Sequence, residues 1–248
     1  MERGLYTAAS AMMAQQTIED ILAQNIANAS TIGYKQDVPS FEALRSMQLD
    51  RITNGNQTSV GSLGTGVQPG QIFTDWSTGA IETTHNPLDL SLAAGQFLTV
   101  QTPTGTAYTR AGALTLDGKG NLVTIGGQPV LDSAGKAINV SGGVGVHIDA
   151  AGNIISGGKV AATLGIMQIN PTGLTKAGYS LYTALPNTVI KPAATPTVLP
   201  GTVEQSNVNI AQSLIEMIMV QRNFDTAQKA VSTHDAALQQ VTTDVGKV

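Results

Sequence analysis

Residues 206–248 read SNVNIAQSLIEMIMVQRNFDTAQKAVSTHDAALQQVTTDVGKV, and the spacing within them decides the fold. From Ile210 an apolar residue returns every seventh position, at Met217, Phe224, Val231, Leu238 and Val245. A second row runs beside it through Val220, Ala227 and Val241, with Leu214 adjacent. Steps of three, four and seven place such residues on one side of an α-helix. The stripe is narrow, nearer to a coiled-coil seam than to the broad face of a helix lying on a globular core. Ser206, Asn207 and Asn209 offer side-chain acceptors for the orphan N–H groups at the helix start, and Gly246 follows the last periodic residue. Two readings stand: a terminal helix packed on its own domain, or a helix whose seam needs a partner.

The other end of the chain matches it. Leu5, Ala8, Ala9, Met12, Ile18, Leu22 and Ile26 recur at helical spacing, and no Gly or Pro falls between Leu5 and Ile32. Abundant alanine favours a helix over residues 3–29 and permits close approach of a second one. The helix is expected to end before Gly33. Two such helices at opposite ends of one chain most simply pack on each other.

Between them the pattern changes. Residues 34–49 suggest a short extended piece, then a helical turn through Phe41, Leu44 and Met47, and residues 53–70 read as an irregular linker. Beyond Gln71, short alternating runs such as Leu88–Leu92, Phe97–Gln101, Ala113–Leu116 and Ala162–Ile169 read as strands. Three turns share one pattern, Asp with Gly three positions on: Asp117 with Gly120, Asp132 with Gly135, Asp149 with Gly152. Asp bonds its own backbone at the start of a turn and Gly supplies the positive φ that completes it, so these read as hairpin turns. Calcium ligation is the weaker reading, since each loop has a single carboxylate. Pro186, Pro192, Pro196 and Pro200 make residues 186–205 an extended return linker. The expected architecture is α+β. Residues 1–33 and 206–248 form a terminal helical domain packing as a coiled-coil-like pair; 34–70 and 186–205 are linkers; 71–185 is an inserted all-β domain.

Composition excludes several function classes. Charged residues make up only 12% of 248, well below the usual share, while no run approaches a membrane span. A surface covered by neighbouring subunits is one candidate cause of such sparse charge. The net charge of −4 without a basic cluster argues against nucleic acid. The chain has no cysteine, which removes disulfides, thiolate catalysis and cysteine-type zinc sites. Its first residues, Met1 to Tyr6, do not read as a cleavable signal peptide. His85, His147 and His234 lack ligand spacing, with a surface or hairpin position expected for His147 and a structural one for His234. No nucleophile elbow or phosphate loop occurs, and Gly64-Thr65-Gly66 lacks the βαβ context of a dinucleotide site. Asp75, Glu82 and Asp89 are the carboxylates a hydrolase would have to use. No catalytic residue, cofactor or metal site is assigned.

The run Val203-Glu204-Gln205-Ser206-Asn207-Val208-Asn209, followed by Met217-Ile218 and Gln221-Arg222-Asn223-Phe224, resembles the end of bacterial flagellar rod and hook axial proteins. Asn25 to Lys35, which includes Asn28, Gly33 and Tyr34, is similar to the other signature of that family. Gly64 to Val67, Asn86 to Leu90, Tyr108 to Gly112 and Leu122 to Thr124 fit between them in order. The opening Met1 to Tyr6 and the modest length resemble the proximal or distal rod members more than the longer hook protein. The sequence departs from the family pattern near Phe97, where a second aromatic is common, and at Ile32.

The resemblance implies a non-enzymatic subunit of the flagellar basal body, serving motility. Its terminal helices would line a helical tube around the export channel, with the β-domain outward. Its partners would be copies of itself, other rod and hook axial subunits, and the type III export apparatus that passes it without signal cleavage. No direct membrane insertion is expected. The assembly surface would comprise Leu5, Met12, Leu22, Ile26, Ile210, Leu214, Met217, Val220, Phe224, Val231, Leu238 and Val241. A secreted β-rich adhesin or glycan-binding module with oligomerising helices is the alternative.

Overall fold

Two helices, one from each end of the chain, and a β-rich middle give the α+β class expected from the sequence. The computed structural model describes residues 2–53, 56–140, 145–178 and 180–245. Gly246 lies outside them, as does the side chain of Val245. Helix α1 spans Glu2–Ala27 and α2 spans Ile210–Val245. The Asn209 side chain accepts the Gln212 N–H at 3.2 Å, so of the three proposed caps it is Asn209 that closes the first turn of α2.

The chain divides into two compact units. In the first, α1 and α2 are joined by residues 37–75. That segment is not the linker with a helical turn expected above. It forms β1 (Asp37–Ala43), β2 (Met47–Thr53), β3 (Asn56–Leu63) and β4 (Val67–Thr74). β1 pairs antiparallel with β4, and β2 with β3 as a ribbon exposed along both faces. Backbone pairing within each ribbon satisfies the inward-facing peptide groups and water can satisfy the outward ones, so polar side chains facing water do not prevent strand formation. A composition rich in Gly, Ser, Thr and Asn therefore concealed strands whose side chains have little to bury.

The second unit holds residues 28–36 and 76–208. Its six-stranded antiparallel sheet runs in the order Leu174–Gly178, Leu181–Ala184, Gly105–Thr109, Gln96–Thr102, Ile166–Ile169, Ile190–Pro192. Alternation along the strands sends Leu98, Val100, Ala107, Ile166 and Leu181 into one buried cluster. Phe97, Tyr108, Ile169 and Tyr182 point into a second, where Trp76 meets the Phe97 ring edge-on at 5.7 Å. Ala162–Ile169, read as one strand, is two, Lys159–Thr163 and Ile166–Ile169. The break falls at Gly165, whose position leaves no room for a side chain against the backbone of Leu131 and Asp132.

The expected return linker at 186–205 also pairs. Ile190–Pro192, Val198–Pro200 and Thr202–Glu204 each add to a partner strand. Prolines sit at the ends of the first two, where a missing donor costs no ladder bond.

The three Asp turns take one geometry. Asp117 Oδ1 accepts the N–H groups of Lys119 and Asn121 at 2.8 Å, and Asp149 Oδ1 those of Ala151 and Asn153 at 2.9 and 2.8 Å. Asp132 bonds Ala134 and Lys136 in the same way. The glycine that follows each sits at φ near +80°. Asn121 and Asn153 hold the Asp117 and Asp149 carboxyls below the usual range, through a side-chain bond first and a backbone bond second. A depressed folded value means stability that is complete above the unfolded carboxyl pKa, near ~3.9, and lost as pH falls through the lower folded one. We expect the melting temperature to fall below about pH 4. In an Asp117→Asn/Asp149→Asn double variant, scanning calorimetry from pH 5 to 2 should show a smaller acid drop.

Candidate functional site

Helices α1 and α2 pack on each other, and their direction follows from two contacts. Gln221 Nε2 donates to Glu19 Oε1 at 3.2 Å, while Gly4 to Ala11 share a groove with Asn223 to Ala230. Position rises along one helix as it falls along the other, so they run antiparallel. Val220, Ile21, Leu22 and Ala14 are buried. Leu5, Met12, Ile26, Met217, Phe224, Ala227, Val231 and Leu238 are half-buried.

The structure leaves Ile210, Leu214 and Val241 out of this contact, with 49%, 46% and 50% of their surfaces exposed. The reason is length and rotation. α2 has 36 residues against 26 in α1. With Gln221 opposite Glu19, Ile210 and Val241 lie past the two ends of α1. Leu214 faces away from it, alongside the exposed Ile215, Ile218 and Met219. The apolar stripe thus has a middle satisfied within the chain, with Ile210 and Val241 open towards its two ends. Gln221 and Arg222 are exposed on the same helix.

The motif residues near the helix ends do different work. Asn25 closes a reciprocal pair with Asp37, donating Nδ2 to its carbonyl at 2.8 Å and accepting its N–H at 2.9 Å. Asn28 caps a turn, accepting the Thr31 N–H at its carbonyl and the Thr31 hydroxyl at Oδ1. Asn207 Oδ1 accepts the Gln36 N–H at 2.8 Å while Nδ2 reaches the Ser77 hydroxyl at 3.0 Å. Ser206 Oγ accepts from Val208 N. The ammonium of Lys176 lies 4.2 Å from the centre of the Tyr34 ring.

At the centre of these contacts is a charged cluster that pattern reading did not find. Lys35, Arg110 and Glu204 are 0%, 3% and 1% exposed. Lys35 Nζ lies 2.6 Å from Glu204 Oε1, which also accepts Gly79 N–H at 3.0 Å. Arg110 engages Oε2 with Nε at 2.8 Å and Nη2 at 2.6 Å. The remaining guanidinium donors reach the carbonyls of Leu92, Ala93 and Gln96, and Lys35 reaches Ser77 O. Each carboxylate oxygen of Glu204 thus has two donors, so the group is a structural clasp and not an acid or base. Its members lie 169 and 94 residues from Glu204 in sequence, a separation no local pattern announces. The one available signal was that all three stand inside the quoted motif runs.

The carboxylates considered for hydrolysis are also engaged. Asp89 accepts from Thr84 Oγ1 and Asn86 Nδ2, closing the turn Asn86-Pro87-Leu88-Asp89, and Glu82 accepts from Gln205. His147 is exposed, as read from the sequence, and His234 is half-buried on α2. Among the described residues no three His, Cys, Asp or Glu side chains gather as a metal site.

Helices from both chain ends form one unit, and the buried ions clasp backbone, an arrangement that fits a structural protein. Comparison with known proteins gives the family. Residues 5–35 match the family "Flagella basal body rod protein", 93–156 the "Flagellar hook protein FlgE/F/G D1 domain", and 199–244 the "Flagellar basal body rod FlgEFG protein C-terminal". The flagellar basal-body rod protein FlgG of Bacillus subtilis (strain 168) is 34% identical over 262 residues, covering 97% of this chain and 98% of that one. The rod protein FlgF of Rhizobium meliloti (strain 1021) is 32% identical over 256 residues, with 99% of each chain covered. The hook-basal body complex protein FlhO of Bacillus subtilis is 29% identical over 272 residues and the full length of both. The chain belongs to the flagellar basal-body rod protein family.

Proposed function

We propose that this chain is a structural subunit of the flagellar basal-body rod that assembles helically through its terminal helices around the export channel. The observation that carries the reading is the divided apolar surface of α2: Val220 is covered by α1, while Ile210, Leu214 and Val241 are open. In this reading α1 and α2 form a coiled-coil-like pair, and the open ends of the seam meet neighbouring axial subunits. Each apolar side chain fully buried there contributes roughly 1.5–3 kcal/mol, so several together stabilise an assembly that single subunits do not form. Contacts between unlike surfaces need not close on themselves, which is what a tube requires. Copies of this chain, other rod and hook subunits and the export apparatus are its partners. No observation favours the glycan-binding reading.

The test is a chain ending at Asn209, which keeps Glu204 and Asn207 in place. It should retain the cooperative melting of the strands yet be absent from isolated basal bodies. Incorporation of the truncated chain would overturn the role given to α2.

A further inference from the structure

We propose that copies of this chain join by seating the Leu214–Met219 stripe of one copy in the groove between α1 and α2 of the next. The inference rests on the rod reading and names the contacting surfaces. The groove encloses about 830 Å³ in the first unit, and Ala8, Ala11, Ala227 and Ala230 line it, with Met47 and Leu63 from the β2–β3 ribbon. No charged residue lines it. Both α1 and α2 line it, so an occupant extends an apolar contact that already exists. Small side chains on both helices let another helix approach closely. What such a groove needs is a helix ridge of large apolar residues without charge. α2 carries one: Leu214, Ile215, Ile218 and Met219 are between 46% and 59% exposed.

The relative placement of the two surfaces fixes the symmetry. On α2 the stripe is centred about ten residues before the groove, roughly 15 Å along the axis, and about 100° around it. A contact joining two patches displaced in this way relates neighbours by a rotation plus a rise. Repetition gives an open helical series and not a closed dimer.

The absence of cysteine from the chain makes the test specific. Full-length Ile218→Cys and Ala230→Cys variants, mixed and treated with a short bifunctional maleimide, should give a covalent heterodimer. The double variant should give a ladder of dimers, trimers and longer species. Ile218→Asp, at an exposed position, should lower self-association in sedimentation at least tenfold while leaving the helical circular dichroism intact. Crosslinking of Ile218→Cys to itself would overturn the proposal in favour of a symmetric dimer. Oligomers that form without a 218–230 link would overturn the pairing and leave the rod reading standing. A chain that stays monomeric at all concentrations would also overturn the pairing, while the rod reading is judged separately by incorporation into basal bodies.

Discussion

Glu204→Ala is expected to cost about 3–5 kcal/mol, enough to unfold much of the second unit at physiological temperature. The variant leaves Lys35 and Arg110 buried, at 0% and 3% exposure, without the carboxylate that pairs with both. The carbonyls of Ser77, Leu92, Ala93 and Gln96 also accept from the two cations, but they bring no formal negative charge. Removing the carboxylate takes away the negative charge that both cations face in a site closed to water. At roughly 2–4 °C per kcal/mol for a protein of this size, the melting temperature should fall by about 6–20 °C. The intact cluster need not be a net gain over apolar packing, because desolvating three ions offsets much of their attraction. A Lys35→Met/Arg110→Met/Glu204→Met triple variant should therefore be less damaged than Glu204→Ala alone. A melting point for Glu204→Ala within about 2 °C of wild type, less than 1 kcal/mol, would refute the clasp.

Gly33→Ala should cost about 3 kcal/mol, from two sources. The residue sits at φ +69°, where a β-carbon is disfavoured by about 1–2 kcal/mol. An added Cβ would also lie 2.6 Å from the Ala111 nitrogen and the Arg110 carbonyl carbon, both backbone atoms with no rotamer by which to yield. The Gly33 N–H bonds the Glu204 carbonyl at 2.8 Å, so relieving the overlap pulls on the residue that pairs with Lys35 and Arg110. Gly118→Ala is the control, because nothing lies within 4 Å of the point a Cβ would occupy there. Denaturant titration of both variants should separate them by several-fold in ΔΔG; equal stabilities would show that the close approach at Gly33 is not limiting.

Much of the site was legible one residue at a time and illegible as a site. The N-terminal motif from Asn25 to Tyr34 and the C-terminal motif from Val203 to Asn209 were visible as runs. What they share, Gly33 N–H on Glu204 O and Gln36 N–H on Asn207, spans some 170 residues. Lys35, Arg110 and Glu204 bear charges that ordinarily mark a wet surface, and only the closure of the fold places them inside. Val38 and Phe73 in β1 and β4 show the converse: apolar residues that stay largely exposed, at 44% and 54%.

By itself the sequence determined both helices, the three Asp–Gly turns, the alternation that sorts Phe97 from Leu98, and the family. Each rests on interactions within a few residues: helical spacing, a side chain bonding its own turn, a strand's period of two. Tertiary structure alone decided that residues 37–75 are strands and not a linker, that 186–205 pairs along its length, and that three ions form a buried clasp. It also decided where the seam beginning at Ile210 stops being internal. Spacing fixes which residues share a face of α2, but the 26-residue length of α1 and its antiparallel placement decide which of them it covers.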